Sequence, residues 1–136
     1  MNNETPPDDA RHTVLLVDDN PQNLELLAVY MEDVPDVRVV TATNGLEALD
    51  KVRSESPDLI LLDIMMPKMS GFEVCRRLKG DPKTRDILIV MVTALSETGD
   101  VERAAECGTD DYISKPIDRM ALVNLARKLL ATRSRA

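Results

Sequence analysis

The sequence predicts an α/β fold, a doubly wound parallel sheet of five strands with five helices divided over its two faces. Three observations carry the prediction. Short continuous apolar runs recur along the chain, stretches with helical apolar spacing fill the intervals between them, and helix-start residues stand near the junctions. Continuous runs suit strands buried on both faces, as in a parallel sheet between two helical layers. Strict alternation with right-handed crossovers then gives that architecture.

The elements follow in order. Residues 1–12 hold prolines and acids without an apolar pattern and are expected to form a flexible tail. Val14-Leu15-Leu16-Val17 is the first strand. Pro21 suits the first turn of a helix whose stripe is Leu24, Leu27, Ala28 and Met31. Val37 to Val40 is the second strand, and Asn44 with Glu47 has the spacing of a capping box for the second helix. Leu59 to Leu62 is the third strand, and Ser70 with Glu73 repeats the capping signal. Ile87 to Val92 is the fourth strand. Val101, Ala104, Ala105 and Gly108 form the stripe of the fourth helix, with Gly108 as its stop. Tyr112-Ile113 is a weaker fifth strand. Asp118 caps the last helix, striped by Leu122, Leu125, Ala126 and Leu129. One domain is expected over residues 13–131, closed by a short basic tail at 132–136.

Composition excludes several classes of function. With a single Phe and no Trp the core must be aliphatic, and a formal net charge of −7 argues against direct affinity for nucleic acid or anionic lipid. No apolar run approaches the length of about 20 residues that spans a membrane. The polar start MNNETPPDDARH is not a signal peptide. Cys75 and Cys107 lack zinc-site spacing and read as two buried reduced thiols in a cytoplasmic protein.

The polar residues that end the strands point to chemistry. Asp18 and Asp19 follow the first strand, Asp63 the third, Thr93 the fourth and Lys115 the fifth. In an open parallel sheet these ends share one edge, where ligands bind. Each residue alone is an ordinary turn former, helix cap or solvated charge. Together, three carboxylates at one edge repel one another unless a cation sits among them. Mg²⁺ takes oxygen ligands and commonly keeps a phosphate oxygen. An Asp in such a place can act as a nucleophile toward a phosphoryl group, with a metal and a lysine neutralising the transferred charge.

Four segments carry a family resemblance: LLVDDN within Val14 to Asn20, DIMMPKMSG from Asp63 to Gly71, Val92-Thr93-Ala94, and GTDDYISKP from Gly108 to Pro116. In this order and spacing the chain resembles the receiver domains of response regulators in two-component signalling, over nearly all of residues 13–131. The resemblance implies the flavodoxin-like strand order 2-1-3-4-5. It implies that Asp63 is the phosphoacceptor. Asp18, Asp19, Asp63 and the backbone carbonyl of Met65 would hold Mg²⁺ or Mn²⁺, with Asp19 a direct ligand and Asp18 acting through water. It implies that Thr93, Ala94 and Lys115 meet the phosphate, that Tyr112 is the aromatic switch, and that the bond before Pro116 is cis. Thr109 stands where the family often has Ala. Met65 and Leu95, two residues beyond Asp63 and Thr93, are apolar and cannot position an attacking water, so slow self-dephosphorylation is expected.

The only histidine, His12, lies in the tail, so the phosphodonor is expected to be a partner, either a sensor histidine kinase or a histidine phosphotransfer protein. The loop Leu95 to Asp100 with Gly99 is the expected moving segment. Val123 and Leu130 beside the last stripe could serve a partner, a phosphorylation-dependent dimer or extra core packing. The downstream protein target is unknown from sequence. The chain is read as a non-enzymatic module, either a stand-alone receiver or the receiver portion of a larger regulator with a cyclase or phosphatase output. Two other classes were weighed. An Asp-nucleophile phosphohydrolase needs a second acid two residues after its nucleophile, where Met65 stands, and would turn over a chromogenic phosphate ester. A flavodoxin-like electron carrier would not place two acids where the FMN phosphate binds, and would be coloured.

Overall fold

The computed structural model describes residues 12–93 and 105–132. Its elements are β1 (His12–Val17), α1 (Pro21–Met31), β2 (Val37–Ala42), α2 (Gly45–Glu55), β3 (Leu59–Asp63), α3 (Gly71–Lys79), β4 (Leu88–Thr93), the end of a fourth helix α4 (residues 105–107), β5 (Asp111–Ser114) and α5 (Arg119–Ala131). The five strands are parallel, in the order β2-β1-β3-β4-β5. Ala94, Leu95, Gly99, Val101 and Ala104 lie outside the described residues, as do residues 1–11 and 133–136.

Side-chain alternation along the strands builds two cores. Leu15, Val17, Ile60, Leu62, Ile89 and Met91 face α2 and α3, whereas Val14, Leu16, Leu59, Leu61, Val90 and Val92 face α1 and α5. β3 is buried along its whole length, which explains why its sequence is continuously apolar until Asp63. β1 begins at His12, inside the expected tail, because His12 pairs with Val37 and its N–H donates to the Asp36 carbonyl.

The helix starts are held by side chains. Asn20 accepts from the Gln22 N–H ahead of Pro21, Asn44 from Glu47, Ser70 from Glu73 and Asp118 from Ala121. The acids of the two expected capping boxes do not reach back to their caps. Glu47 takes the N–H and hydroxyl of Thr43, which hold its carboxyl below the usual range. Glu73 pairs with Arg77 and Arg76.

Two of the four residues expected in the α4 stripe are described, and neither is buried. Ala105 and Gly108 are exposed and the buried residue is Cys107, about 200° around the helix from Ala105. Cys107 Sγ donates to the Phe72 carbonyl at 3.4 Å, and Cys75 Sγ to the Cys107 carbonyl at 3.4 Å, so the two thiols tie α4 to α3. Both are free, as expected. Burial, then the neighbouring Cys107, pushes the Cys75 thiol up to about 12. Gly108 ends the helix with φ 87°. Val123 and Leu130 are core residues, buried with Leu122 and Ala126 against the sheet. Among the described residues no helix is long and apolar enough to cross a membrane.

Candidate functional site

The site lies at the carboxyl edge of the central strands. Asp18 follows β1, and its N–H bonds the Ala42 carbonyl, which extends the β1–β2 ladder by one step. Asp63 is the last residue of β3 and pairs with Val92 of β4. Thr93 ends β4 opposite Ser114, and the Lys115 N–H donates to the Thr93 carbonyl at 2.7 Å. The hydrogen-bond ladder therefore fixes four of the five predicted residues through their backbones.

Asp18 is 2% exposed and Asp63 4% exposed, an unusual depth for two acids beside each other. Asp19 is exposed. Asp18, Asp19 and Asp63 each offer a carboxylate oxygen, and these oxygens lie within 4.8 Å of one another. Lys115 Nζ stands 3.5 Å from Asp63 Oδ1 and 3.8 Å from Asp18 Oδ2, so one ammonium serves two carboxylates. Burial, followed by the charge on Asp18, raises Asp63 from 3.8 to about 6, against the pull of Lys115 and the Met65 N–H. A single lysine leaves three acids in excess negative charge. An all-oxygen set with that excess fits a hard divalent cation such as Mg²⁺.

Asp18 is oriented on both oxygens. Oδ1 accepts the Asn20 N–H at 2.9 Å and Oδ2 the Asn23 side-chain amide at 3.3 Å. The Met65 N–H donates to Asp63 Oδ1 at 3.3 Å, while its side chain is 72% exposed. Gly71 stands at the start of α3 against the Asp63 backbone, where a Cβ would overlap the Asp63 carbonyl. The Lys115–Pro116 bond is cis. Thr93 is buried at the strand end. Tyr112 is on the surface of β5, 46% exposed, and Ala94 is outside the described residues.

Sequence reasoning missed Asn23, and gave Gly71 only as the end of the DIMMPKMSG segment. Asn23 stands five residues after Asp18 in the first turn of α1, a spacing that only the fold converts into contact. The reason for Gly71, its close approach to the Asp63 carbonyl, is visible only in the fold. A buried acid, Asp58, also went unread. It lies at the opposite sheet edge, where its carboxylate takes the Thr13 N–H and joins β1 to the start of β3.

Comparison with known proteins agrees with this geometry. Residues 14–127 match the model of the response regulator receiver domain. The chain is 44% identical over 116 residues to response regulator PleD of Caulobacter vibrioides, matching 85% of this chain and 25% of PleD. It is 44% identical over 105 residues to the polar-differentiation response regulator DivK of Brucella anthropi, matching 77% of this chain and 85% of DivK. Among solved structures, the receiver domain of a signal transduction histidine kinase from Syntrophus aciditrophicus superposes with a TM-score of 0.84 at 37% identity, covering 92% of this chain and 94% of that one. The receiver domain of sensor histidine kinase PA1611 from Pseudomonas aeruginosa, solved with a magnesium ion in its active-site cleft, gives 0.80 at 27% identity, covering 88% and 98%. The chain belongs to the response-regulator receiver family, whose general function is to be phosphorylated by a histidine kinase. It spans a quarter of the length of PleD.

Proposed function

We propose that Asp63 is the residue that accepts the phosphoryl group, and that Asp18, Asp19, Asp63 and the Met65 backbone carbonyl hold the Mg²⁺ or Mn²⁺ ion the transfer uses. The observation that carries this assignment is a buried strand-end carboxylate with Lys115 Nζ 3.5 Å away and two further acids beside it. The bound cation would neutralise charge on the phosphoryl oxygens.

The chain's own residues supply the rest. The Asp63 carboxylate gives an electron pair to phosphorus, while the P–N bond to the donor imidazole breaks and its electrons leave with the ring. Lys115, already between Asp18 and Asp63, turns toward the new negative charge. Thr93, one residue beyond the Val92 that pairs with Asp63, meets the remaining oxygens together with Ala94, the next residue in sequence. Tyr112 answers the shift of Thr93 from the edge of β5. The donor is a histidine kinase or a phosphotransfer protein. It reaches the site over a groove of about 250 Å³ formed by Leu26, Tyr30, Pro116 and Ile117, with Asp18 and Lys115 in its wall. The result is a signalling module that passes its state to a downstream protein or to a second copy of itself, with neither nucleic acid nor membrane touched directly.

Beryllofluoride with Mg²⁺ tests this directly, since the pair stands in for the phosphoryl group. Amide shifts should move at Asp63, Thr93, Lys115 and Tyr112 in the wild type and stay still in Asp63→Asn. Shifts that ignore beryllofluoride in the wild type would sink the assignment.

A further inference from the structure

Asn23 occupies the third position of α1, where a capping-box residue would reach back to the N–H of the cap residue. That N–H is already taken, because Asn20 N–H donates to Asp18 Oδ1. Pro21 has no N–H to offer. The Asn23 side chain turns instead to Asp18, and its amide nitrogen donates to Oδ2 at 3.3 Å. The contact must be made by nitrogen, since an ionised carboxylate only accepts. Asp18 therefore receives one hydrogen bond on each oxygen, both from the first turn of a single helix. Its Oδ2 is also the atom that Lys115 Nζ approaches at 3.8 Å, a longer separation than the 3.5 Å to Asp63.

We propose that Asn23 is a positioning residue of the acidic site: its amide fixes the Asp18 carboxylate toward the cation and, by sharing Oδ2, keeps Lys115 poised between Asp18 and Asp63. This rests on the metal-site assignment above. Without the amide, only the Asn20 N–H on Oδ1 still orients the Asp18 carboxylate, and the partner left for Oδ2 is Lys115. Closing that pair would withdraw one ligand from the cation and one positive charge from Asp63. Partners that orient a metal ligand commonly change affinity by about 10- to 100-fold when removed. Because the amide acts through Asp18 and touches no reacting atom, its loss is expected to show directly in cation binding.

The test is a Mg²⁺ titration followed by amide chemical shifts in wild type, Asn23→Leu, Asn23→Ala and Asn23→Gln. Leu keeps the volume and the helix, Ala guards against misfit of the larger side chain, and Gln keeps the donor. The expected result is a Kd raised about tenfold in the Leu and Ala variants, recovered in Gln. A wild-type Kd in Asn23→Leu and Asn23→Ala, or a Gln variant as weak as both, overturns the assignment of Asn23 while leaving the metal site standing. No saturable response in the wild type overturns both.

Discussion

Asp63 and Asp18 share one ammonium group, but the burial of Asp63, then the charge of Asp18 beside it, governs how the metal-free protein responds to pH. Burial raises Asp63 from 3.8 to about 6, so the folded chain holds its proton more tightly than the unfolded chain does. Stability from this residue is therefore greatest below about pH 4 and falls as pH rises through about 6. Asp63→Asn removes the titrating group. With a chelator present at pH 7.5, it should be more stable than wild type by on the order of 2 kcal/mol, with the difference shrinking toward pH 4. Urea unfolding at the two pH values measures it, and equal stabilities of the two proteins at pH 7.5 would contradict the raised value. The strand-end acids and Lys115 were legible in the sequence because each stands within two residues of the end of an apolar run. Asn23 was not, because its role depends on a partner five residues away that only a strand-to-helix turn brings into reach.

At the scale of elements, the β3–α3 connection sets the position of Asp63. The Gly71 N–H donates to the Ile64 carbonyl at 3.0 Å, and its Cα faces the Asp63 backbone with no room for a side chain. Gly71→Ala should cost about 1–3 kcal/mol, as overpacking does. It should also displace Asp63, so that labelling by acetyl phosphate falls further than the loss of folded protein explains. Thermal unfolding together with labelling per folded molecule checks this. Unchanged stability and labelling would show that the connection is slack. Helix starts were legible from capping residues alone, whereas the partners of the capping acids were not. Glu47 and Glu73 each found a stronger donor in Thr43 or Arg77. At the described end of α4, apolar spacing favoured Ala105, whereas the residue packed against α3 is Cys107, with its thiol hydrogen bond to Phe72. Val123 and Leu130 were ambiguous in sequence for a related reason: a helix stripe has no sharp edge, and only the packing beneath α5 decides how wide it is.

Over the whole molecule, the parallel sheet converts separations of tens of residues into a single edge. Two cores of alternating strand side chains hold β1, β3 and β4 in register, and the register brings Asp18, Asp63, Thr93 and Lys115 together. That much follows from pattern, since continuous apolar strands and strict alternation leave little freedom in topology. The rearranging surface is less legible. Tyr112 faces outward on β5, and Ala94 and Leu95 lie outside the described residues, so the route from Asp63 to a partner rests on the proposed switching of Thr93 and Tyr112. The central claim concerns the starting point of that route. Intact-protein mass measurement after incubation with acetyl phosphate and Mg²⁺ tests it most directly. The wild type should gain the mass of a single phosphoryl group, lost when a chelator is present throughout and absent in Asp63→Asn. A wild type that gains nothing, or an Asp63→Asn variant that gains as much, would contradict it.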